Sequence, residues 1–297
     1  MRSAQENVLQ MQESGQVVVH ADRRIGSILT EQGKLVPVDI ERIMELQATQ
    51  GMRFGDAALS LGLVTAHDVH DAILRQYDMP RGLPGDQRAG NELVFAHDPF
   101  HPCAEEFRAL RAQLLNRWSK TRVKHRALAV VSPGTGEGRS YLAANLALAF
   151  SQLGERTLLI DADLRTPRQH LIFGVPDRVG LTAVLGGRAG RGALSQIPQY
   201  GAFSLLCAGA CPPNPDELLS RPALRTLLHE LRNQFDVILL DTPPMGICAD
   251  AQAVASHAGS ALVLARKDHT RIEDTKEAIR VMSELNSHVL GTVLTRF

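Results

Sequence analysis

Apolar and polar positions change their pattern along this chain near residue 127. From there on, short apolar runs rich in Val, Ile and Leu alternate with longer amphipathic or alanine-rich stretches. The runs predict strands at 127–131, 158–161, 203–207, 235–240, 261–265 and 289–294, and the stretches predict helices at 104–120, 141–155, 221–232 and 270–285. Strands that alternate with helices in this way predict an α/β fold, a doubly wound parallel sheet with helices on both faces.

The N-terminal part of the chain repeats itself. One unit starts at Arg24 and the next at Arg53, a period of 53 − 24 = 29 residues. In each unit, apolar residues recur at helical spacing up to a glycine, Gly33 or Gly62, which is typical of a helix C-terminus, and a second helix follows. A supersecondary unit used twice predicts a small helical domain over residues 22–80.

A stretch without periodicity separates the two patterned regions. Residues 81–102 place prolines and glycines among charged residues, which predicts a linker. We therefore expect a flexible N-terminus over residues 1–21, the helical domain, the linker, and an α/β domain over residues 103–297. A length of 297 residues agrees with two domains of roughly 150 residues each.

The composition is that of a soluble globular protein. The formal net charge is zero, so bulk charge gives no reason to expect a nucleic acid partner. The four cysteines are scattered, which favours a reducing, cytoplasmic compartment over a disulfide framework or a zinc site. No apolar run approaches the roughly 18 residues that a membrane span requires, so we expect any role at a membrane to depend on a partner.

The glycine-rich segment after the first predicted strand is typical of phosphate binding. It reads Pro133-Gly134-Thr135-Gly136-Glu137-Gly138-Arg139-Ser140, and it differs from the G-x-x-x-x-G-K-[ST] pattern at its first and seventh positions. Glycines allow successive backbone amides to converge on phosphate oxygens at the N-terminus of the next helix. The predicted nucleotide-binding residues are Gly134, Thr135, Gly136, Glu137, Gly138, Arg139, Ser140 and Tyr141.

Two side chains of this loop have chemical roles in the pattern. The Ser140 hydroxyl is placed to bind Mg²⁺, and the cation at Arg139 is placed to reach the β- and γ-phosphates. Arginine keeps its charge and can bind two oxygens, but it is bulkier than the usual lysine. The sequence therefore predicts nucleotide binding and leaves efficient phosphoryl transfer open.

Carboxylates follow two predicted strands. Asp161 and Asp163 end the strand after the phosphate loop, and Asp241 ends another apolar run. In an open parallel sheet, ligands bind at the carboxyl ends of the strands. Carboxylates there can hold Mg²⁺ or accept a proton from an attacking hydroxyl. We predict Asp161, Asp163 and Arg139 as catalytic residues and Ser140, Asp161 and Asp241 as metal-binding residues.

Taken together, these motifs resemble those of the bacterial tyrosine kinases. The resemblance rests on PGTGEGRS, LLIDADLR and VILLDTPP, with the upstream Glu105-x-x-Arg108-x-x-Arg111 and the segment PPNPDELL, in the order of that family over residues 91–297. Within the family the chain is most similar to the chain-length-determinant kinases of exopolysaccharide operons, the EpsG type.

The resemblance implies a set of roles and partners. Mg-ATP would bind at the phosphate loop, Asp161 and Asp163 would activate a tyrosine hydroxyl of a protein substrate, and Asp241 would complete the metal site. The ExxRxxR residues Glu105, Arg108 and Arg111 would join subunits in a homo-oligomeric ring. A transmembrane adaptor would hold this cytoplasmic kinase at the inner membrane, where it would control polysaccharide chain length and export.

The N-terminal repeat resembles the N-terminal domain of type II secretion and type IV pilus assembly ATPases. Some members of that family bind cyclic di-GMP through paired motifs of this kind. Carried over to this sequence, the cyclic di-GMP residues would be Arg24, Gly26, Gly33, Arg53, Gly55 and Gly62. The two motifs are more closely spaced here than in those members, and a helical docking domain without a ligand is the alternative interpretation.

Departures from the kinase pattern leave the activity open. Thr295 stands where many members have an asparagine near the adenine, and the three tyrosines, Tyr77, Tyr141 and Tyr200, do not form the tyrosine-rich tail that such kinases phosphorylate. Tyr141 begins a helix, which favours packing over a substrate role. The alternatives are a nucleotide-dependent assembly switch without kinase activity and a partition-type ATPase. The second is disfavoured because its additional lysine early in the phosphate loop is missing.

Overall fold

The computed structural model describes residues 9–11, 17–19, 24–76, 92–97, 101–121 and 126–296. The chain divides into two compact units, Met1–Pro80 and Arg81–Phe297. Most of the predicted flexible N-terminus and of the predicted linker lies outside the described residues, as does Tyr77.

The described residues of the first unit form two short strands and four helices. The strands β1 (Leu9–Met11) and β2 (Val17–Val19) pair antiparallel. The helices are α1 (Ile25–Glu31), α2 (Pro37–Gln50), α3 (Phe54–Ser60) and α4 (Ala66–Gln76). Their core contains the fully buried residues Leu29, Ile43, Ala57, Ala58 and Ala72.

The repeat of the sequence is also a repeat of the structure. Arg24 and Arg53 each have an extended backbone and each immediately precede a seven-residue helix. Gly33 and Gly62 follow these helices with φ values of 69° and 67°, a left-handed conformation that glycine adopts without strain. The repeated glycines therefore terminate helices at equivalent places.

The second unit is built on a seven-stranded sheet. Its strands, in chain order, are β3 (Arg126–Val131), β4 (Thr157–Asp161), β5 (Ser195–Gln196), β6 (Phe203–Leu206), β7 (Val237–Asp241), β8 (Ser260–Arg266) and β9 (His288–Thr295). Their order across the sheet is β5-β6-β4-β7-β3-β8-β9, and every neighbouring pair is parallel except β5 with β6. The predicted α/β fold is confirmed, with one antiparallel edge strand that the sequence did not predict.

Nine helices are described in this unit. They are α5 (Val94–His97), α6 (Pro102–Ser119), α7 (Arg139–Ser151), α8 (Gln169–Phe173), α9 (Leu181–Leu185), α10 (Pro215–Ser220), α11 (Pro222–Leu231), α12 (Asp250–Ala258) and α13 (Ile272–Glu284), with 3₁₀ turns at Arg191–Ala193 and Pro198–Tyr200. Helices α5, α8, α9, α10 and α12 were not predicted, and α5 lies within the predicted linker. Helices α5, α8, α9 and α10 have four to six residues, too few to establish a helical period.

Alternation along the strands divides the core between the two faces of the sheet. Leu128 and Val130 of β3 face a cluster with α5 to α8, whereas Ala127 and Ala129 face a cluster with α9 to α13. Helix α7 is buried continuously from Leu142 to Ser151, which explains why it is apolar on all sides. The sheet is thus covered on both faces, and the carboxyl ends of β4, β7 and β3 lie side by side.

Candidate nucleotide-binding site

The glycine-rich segment forms a tight loop between β3 and α7. Gly136 and Gly138 have φ values of 66° and 91°, and Gly138 is the N-cap of α7. The loop amides therefore precede a 13-residue helix whose N-terminus carries partial positive charge. Thr135 is exposed and lines a cleft of about 540 Å³ between the loop and α13.

Glu137 supports the loop from inside the protein. Its side chain is buried, with 1% of the residue exposed. Oε2 accepts a hydrogen bond from Gly134 N at 2.8 Å, and Oε1 bonds to the Thr270 hydroxyl. The Thr295 hydroxyl donates to the Glu137 carbonyl at 3.0 Å, and Arg266 Nη1 donates to the Gly136 carbonyl at 3.1 Å. Residues on or after β8 thus fix the shape of the loop.

Arg139 occupies the position of the usual lysine and contacts the protein itself. Nε donates to the Thr242 carbonyl at 2.8 Å, and Nη1 donates to the Gly134 carbonyl at 2.6 Å and to the Ser132 hydroxyl. Burial lowers the pKa of this guanidinium, and the charge of Asp241 opposes the shift. Arg139 therefore joins the phosphate loop to the segment after β7.

Asp161 and Asp241 lie opposite each other in the register of β4 and β7, and both are fully buried. Asp161 accepts hydrogen bonds from the backbone amides of Asp163, Arg168 and Gln169 at 2.9 to 3.2 Å. Burial and the charge of Asp241 raise the pKa of Asp161 well above its usual value. Burial also raises the pKa of Asp241 to about 6, although Ser140, Gln169 and Arg139 oppose the rise.

The donor set at these strand ends suits a divalent cation. Asp241 Oδ1 is buried without a hydrogen bond to the described part of the chain, whereas Oδ2 accepts one from Gln169 Nε2 at 2.8 Å. A buried carboxylate oxygen without a partner, next to a second carboxylate, is stabilised by a positive charge. Clusters of three or more His, Cys, Asp or Glu side chains that could hold a metal are absent from the described residues, so loop and phosphate oxygens would have to complete such a site.

Asp163 has both of its oxygens engaged by the loop that follows it. Oδ1 accepts hydrogen bonds from the amides of Arg165 and Thr166 at 3.1 and 2.8 Å, and Oδ2 accepts one from the Thr166 hydroxyl at 2.9 Å. Asp163 therefore shapes this loop in the structure, and its predicted catalytic role stays a prediction.

Sequence reasoning missed residues that connect the motifs. Gln169 contacts Ser140 of the phosphate loop and the two strand-end residues Asp161 and Asp241. Arg165 forms a bidentate ion pair with the buried Asp250 of α12, with distances of 2.8 and 3.1 Å, and this pair raises the pKa of Arg165. An arginine two residues after Asp163 was the available signal, but its partner lies 85 residues away.

Tyr141, also predicted to bind nucleotide, packs toward the core. Its ring lies 5.8 Å from that of Phe107, and burial raises the pKa of its hydroxyl. Tyr200 is 4% exposed. Both described tyrosines therefore contribute to packing.

The predicted oligomerisation residues of α6 make contacts within their own unit. Glu105 pairs with Arg108, whose guanidinium lies 5.5 Å from the centre of the Phe95 ring. Arg111 donates to the Ala149 carbonyl of α7, and burial lowers its pKa. Glu105 is the most exposed of the three residues. These contacts do not test the predicted assembly of subunits into a ring, which stays a prediction.

The six predicted cyclic di-GMP residues all lie in the first unit. Arg24 and Arg53 are exposed, and Gly33 and Gly62 form turns. Gly26 and Gly55 are packing positions, because a Cβ atom there would lie 3.0 Å from Phe54 Cζ and 2.8 Å from Val69 Cγ1. Helix packing and chain reversal thus account for all four glycines, and cyclic di-GMP binding stays a prediction.

Among the described residues, no helix combines the length and the apolar character that crossing a bilayer requires.

Comparison with known proteins identifies the family. Residues 128–297 match the CobQ/CobB/MinD/ParA nucleotide binding domain. The chain is 32% identical over 207 residues to the tyrosine-protein kinase YwqD of Bacillus subtilis. The matched region covers 70% of this chain and 86% of that kinase.

Two solved structures agree with this match. The kinase domain of the Escherichia coli tyrosine kinase ETK superposes with a TM-score of 0.65 at 26% identity, covering 70% of this chain and 81% of that chain. The septum site-determining protein MinD of Pyrococcus horikoshii, complexed with Mg-ADP, gives a TM-score of 0.51 at 25% identity, covering 57% of this chain and 71% of that chain. With its phosphate loop, its paired strand-end aspartates and these relatives, the chain belongs to the bacterial tyrosine kinase family of nucleotide-binding proteins.

Proposed function

We propose that this chain binds ATP with Mg²⁺ and transfers the γ-phosphoryl group to a tyrosine of another protein. The observation that carries the proposal is the pair of buried aspartates beside the phosphate loop, with Asp241 Oδ1 unpartnered. In the absence of a cation the pKa values of both carboxyl groups are raised. Bound Mg²⁺ would offset the repulsion between the two carboxylates. The Mg-ADP bound to the MinD relative supports the same cofactor.

Each group has a role that follows from its contacts. The amides of Gly136 to Ser140 bind phosphate oxygens, and the Ser140 hydroxyl and Asp241 hold Mg²⁺. Mg²⁺, when bound, neutralises charge on the phosphates. Asp161 accepts the tyrosine proton, because its Oδ1 takes a single long hydrogen bond of 3.2 Å while both Asp163 oxygens are engaged. Arg139 keeps the phosphate loop and the segment after β7 together.

The biological setting follows from the EpsG-type resemblance and the named relatives. We place the protein on the cytoplasmic side of the inner membrane, attached through a transmembrane chain-length-determinant adaptor. It assembles there as a homo-oligomer and regulates exopolysaccharide chain length and export. The kinase names of the relatives support the chemistry, and the motif order supports the pathway.

One observation favours a second function, an assembly switch that binds nucleotide without transferring phosphate. Two nitrogens of the Arg139 guanidinium donate to Thr242, Gly134 and Ser132. Fewer of its N–H groups are therefore available to phosphate oxygens than those of the lysine that is usual at this position. Both functions require ATP binding, and they differ only in transfer.

The experiment is a phosphotyrosine assay on the purified full chain with Mg-ATP, alone and with a co-expressed adaptor. We expect phosphotyrosine with the wild type and none with Asp161→Asn, while calorimetry gives both proteins similar ATP affinity. Arg139→Ala should weaken ATP binding, and Arg139→Lys should preserve it and raise transfer. ATP binding without phosphotyrosine in any of these proteins would favour the switch, and unchanged affinity in Arg139→Ala would contradict the role of Arg139.

A further inference from the structure

Gln169 contacts all three motifs of the site. It is the first residue of α8 and is fully buried. Its side-chain Nε2 donates to Asp241 Oδ2 at 2.8 Å and to the Ser140 carbonyl at 3.1 Å, and its backbone N donates to Asp161 Oδ2 at 2.9 Å. A single residue therefore connects the carboxyl ends of β4 and β7 with the first turn of α7.

These bonds leave two buried oxygens without a partner. Neither Asp241 Oδ1 nor Gln169 Oε1 has a hydrogen bond to the described residues. The side-chain amide of Gln169 binds Oδ2 of Asp241, so Oδ1 is the oxygen that remains without a hydrogen bond to the described residues. A buried acceptor without a donor costs free energy, so a cation or a donor bound next to the phosphate loop would stabilise both oxygens.

We propose that Gln169 is a positioning residue for Mg²⁺. Its amide nitrogen fixes Asp241 through Oδ2, and Asp241 Oδ1 and Gln169 Oε1 remain for the cation and its water ligands. This inference rests on the proposed binding of Mg-ATP and adds a residue that none of the kinase motifs contains. Groups of this kind, which orient a metal ligand by a hydrogen bond, typically change metal affinity when they are substituted.

The test measures how much Mg²⁺ strengthens ATP binding. ATP is titrated by calorimetry into the full chain in EDTA and in Mg²⁺, for the wild type and for Gln169→Met. Methionine keeps the length of the side chain and the backbone bond to Asp161, but it removes both the donor and the acceptor. We expect the enhancement by Mg²⁺ to fall by about tenfold and the affinity in EDTA to stay the same.

The matched control is Gln152→Met. Gln152 Oε1 is also buried without a partner, but the residue lies beyond the C-terminal end of α7, away from the phosphate loop. This variant should keep the wild-type enhancement.

Three outcomes overturn the inference. An unchanged enhancement in Gln169→Met would show that Mg²⁺ binding does not depend on this side chain. An equal loss in EDTA and in Mg²⁺ would mean that Gln169 only stabilises the fold. A wild type that binds ATP in neither condition would contradict the proposed function, and the inference with it.

Discussion

At the scale of single residues, Asp241 illustrates how burial changes a carboxyl group. It ends an apolar strand, is fully buried, and has a pKa raised to about 6 chiefly by burial. A carboxyl group whose pKa is higher in the folded than in the unfolded state favours folding only while it is protonated. Its contribution is complete below the usual pKa of 3.8 and is lost as the pH rises through about 6.

We therefore expect Asp241→Asn to stabilise the protein in metal-free buffer above pH 7. Asparagine can still accept the hydrogen bond from Gln169 and carries no charge to desolvate. The gain should reach about 3 kcal/mol at most, since one pKa unit corresponds to about 1.4 kcal/mol, and it should shrink toward pH 4. Urea unfolding in EDTA at several pH values measures this difference, and a gain that does not vary with pH would contradict it.

Sequence reasoning at this scale identified which residues carry charge but not what they contact. The motif predicted a cation at Arg139, yet its partner Thr242 lies 103 residues away. Gln169 had no motif, and its bond to Asp241 joins positions 72 residues apart. Contacts of this length depend on how the strands are ordered in the sheet, which a local pattern does not specify.

At the scale of elements, the phosphate loop depends on its neighbours β8 and β9. Glycines at 136 and 138 give it the required backbone angles, but hydrogen bonds from Thr270, Thr295 and Arg266 fix it in place. The main strands and the long helices were predicted within a few residues because each buries a periodic apolar face. The short helices and the hydrogen bonds that fix the phosphate loop were not predicted, because neither produces a local period in the sequence.

We expect Thr270→Val to weaken ATP binding. Valine keeps the shape of the side chain but leaves a buried oxygen of Glu137 without its hydroxyl donor and the Arg266 amide without its acceptor, at a cost of about 1–3 kcal/mol for each group. If this loss distorts the loop, the ATP affinity measured by calorimetry falls by about tenfold or more. Thr275→Val is the control, because the hydrogen bond of the Thr275 hydroxyl among the described residues goes to the Arg271 carbonyl, at the start of its own helix. Equal affinities in the two variants would refute the bracing role.

At the scale of the whole molecule, the two units have separate cores. The core of the first unit consists of residues from the helices α1 to α4 and the turns between them, and both clusters of the second unit consist of residues from position 93 onward. The described residues of the first unit form the helices α1 to α4, and the domain that the repeat predicts, with its ligand or partner, stays a prediction. Function in the second unit should therefore tolerate changes in the first core.

Gly55→Ala tests this independence. The added Cβ would lie 2.8 Å from Val69 Cγ1, and overpacking of this kind costs about 1–3 kcal/mol. Hydrogen exchange should become faster in residues 24–76 and stay unchanged in residues 126–296, with the same ATP affinity. Gly190→Ala is the matched control, since a Cβ there meets no atom within 4 Å. Reduced ATP affinity in Gly55→Ala would show that the units are coupled.

The bond from Thr295 to the Glu137 carbonyl has a consequence for biosynthesis. It spans 158 residues, and it comes from the last residue of β9. A nascent polypeptide still attached to the ribosome before β9 emerges has the glycine-rich segment but lacks this support. The glycine-rich segment therefore gains this support only once β9 has joined the sheet.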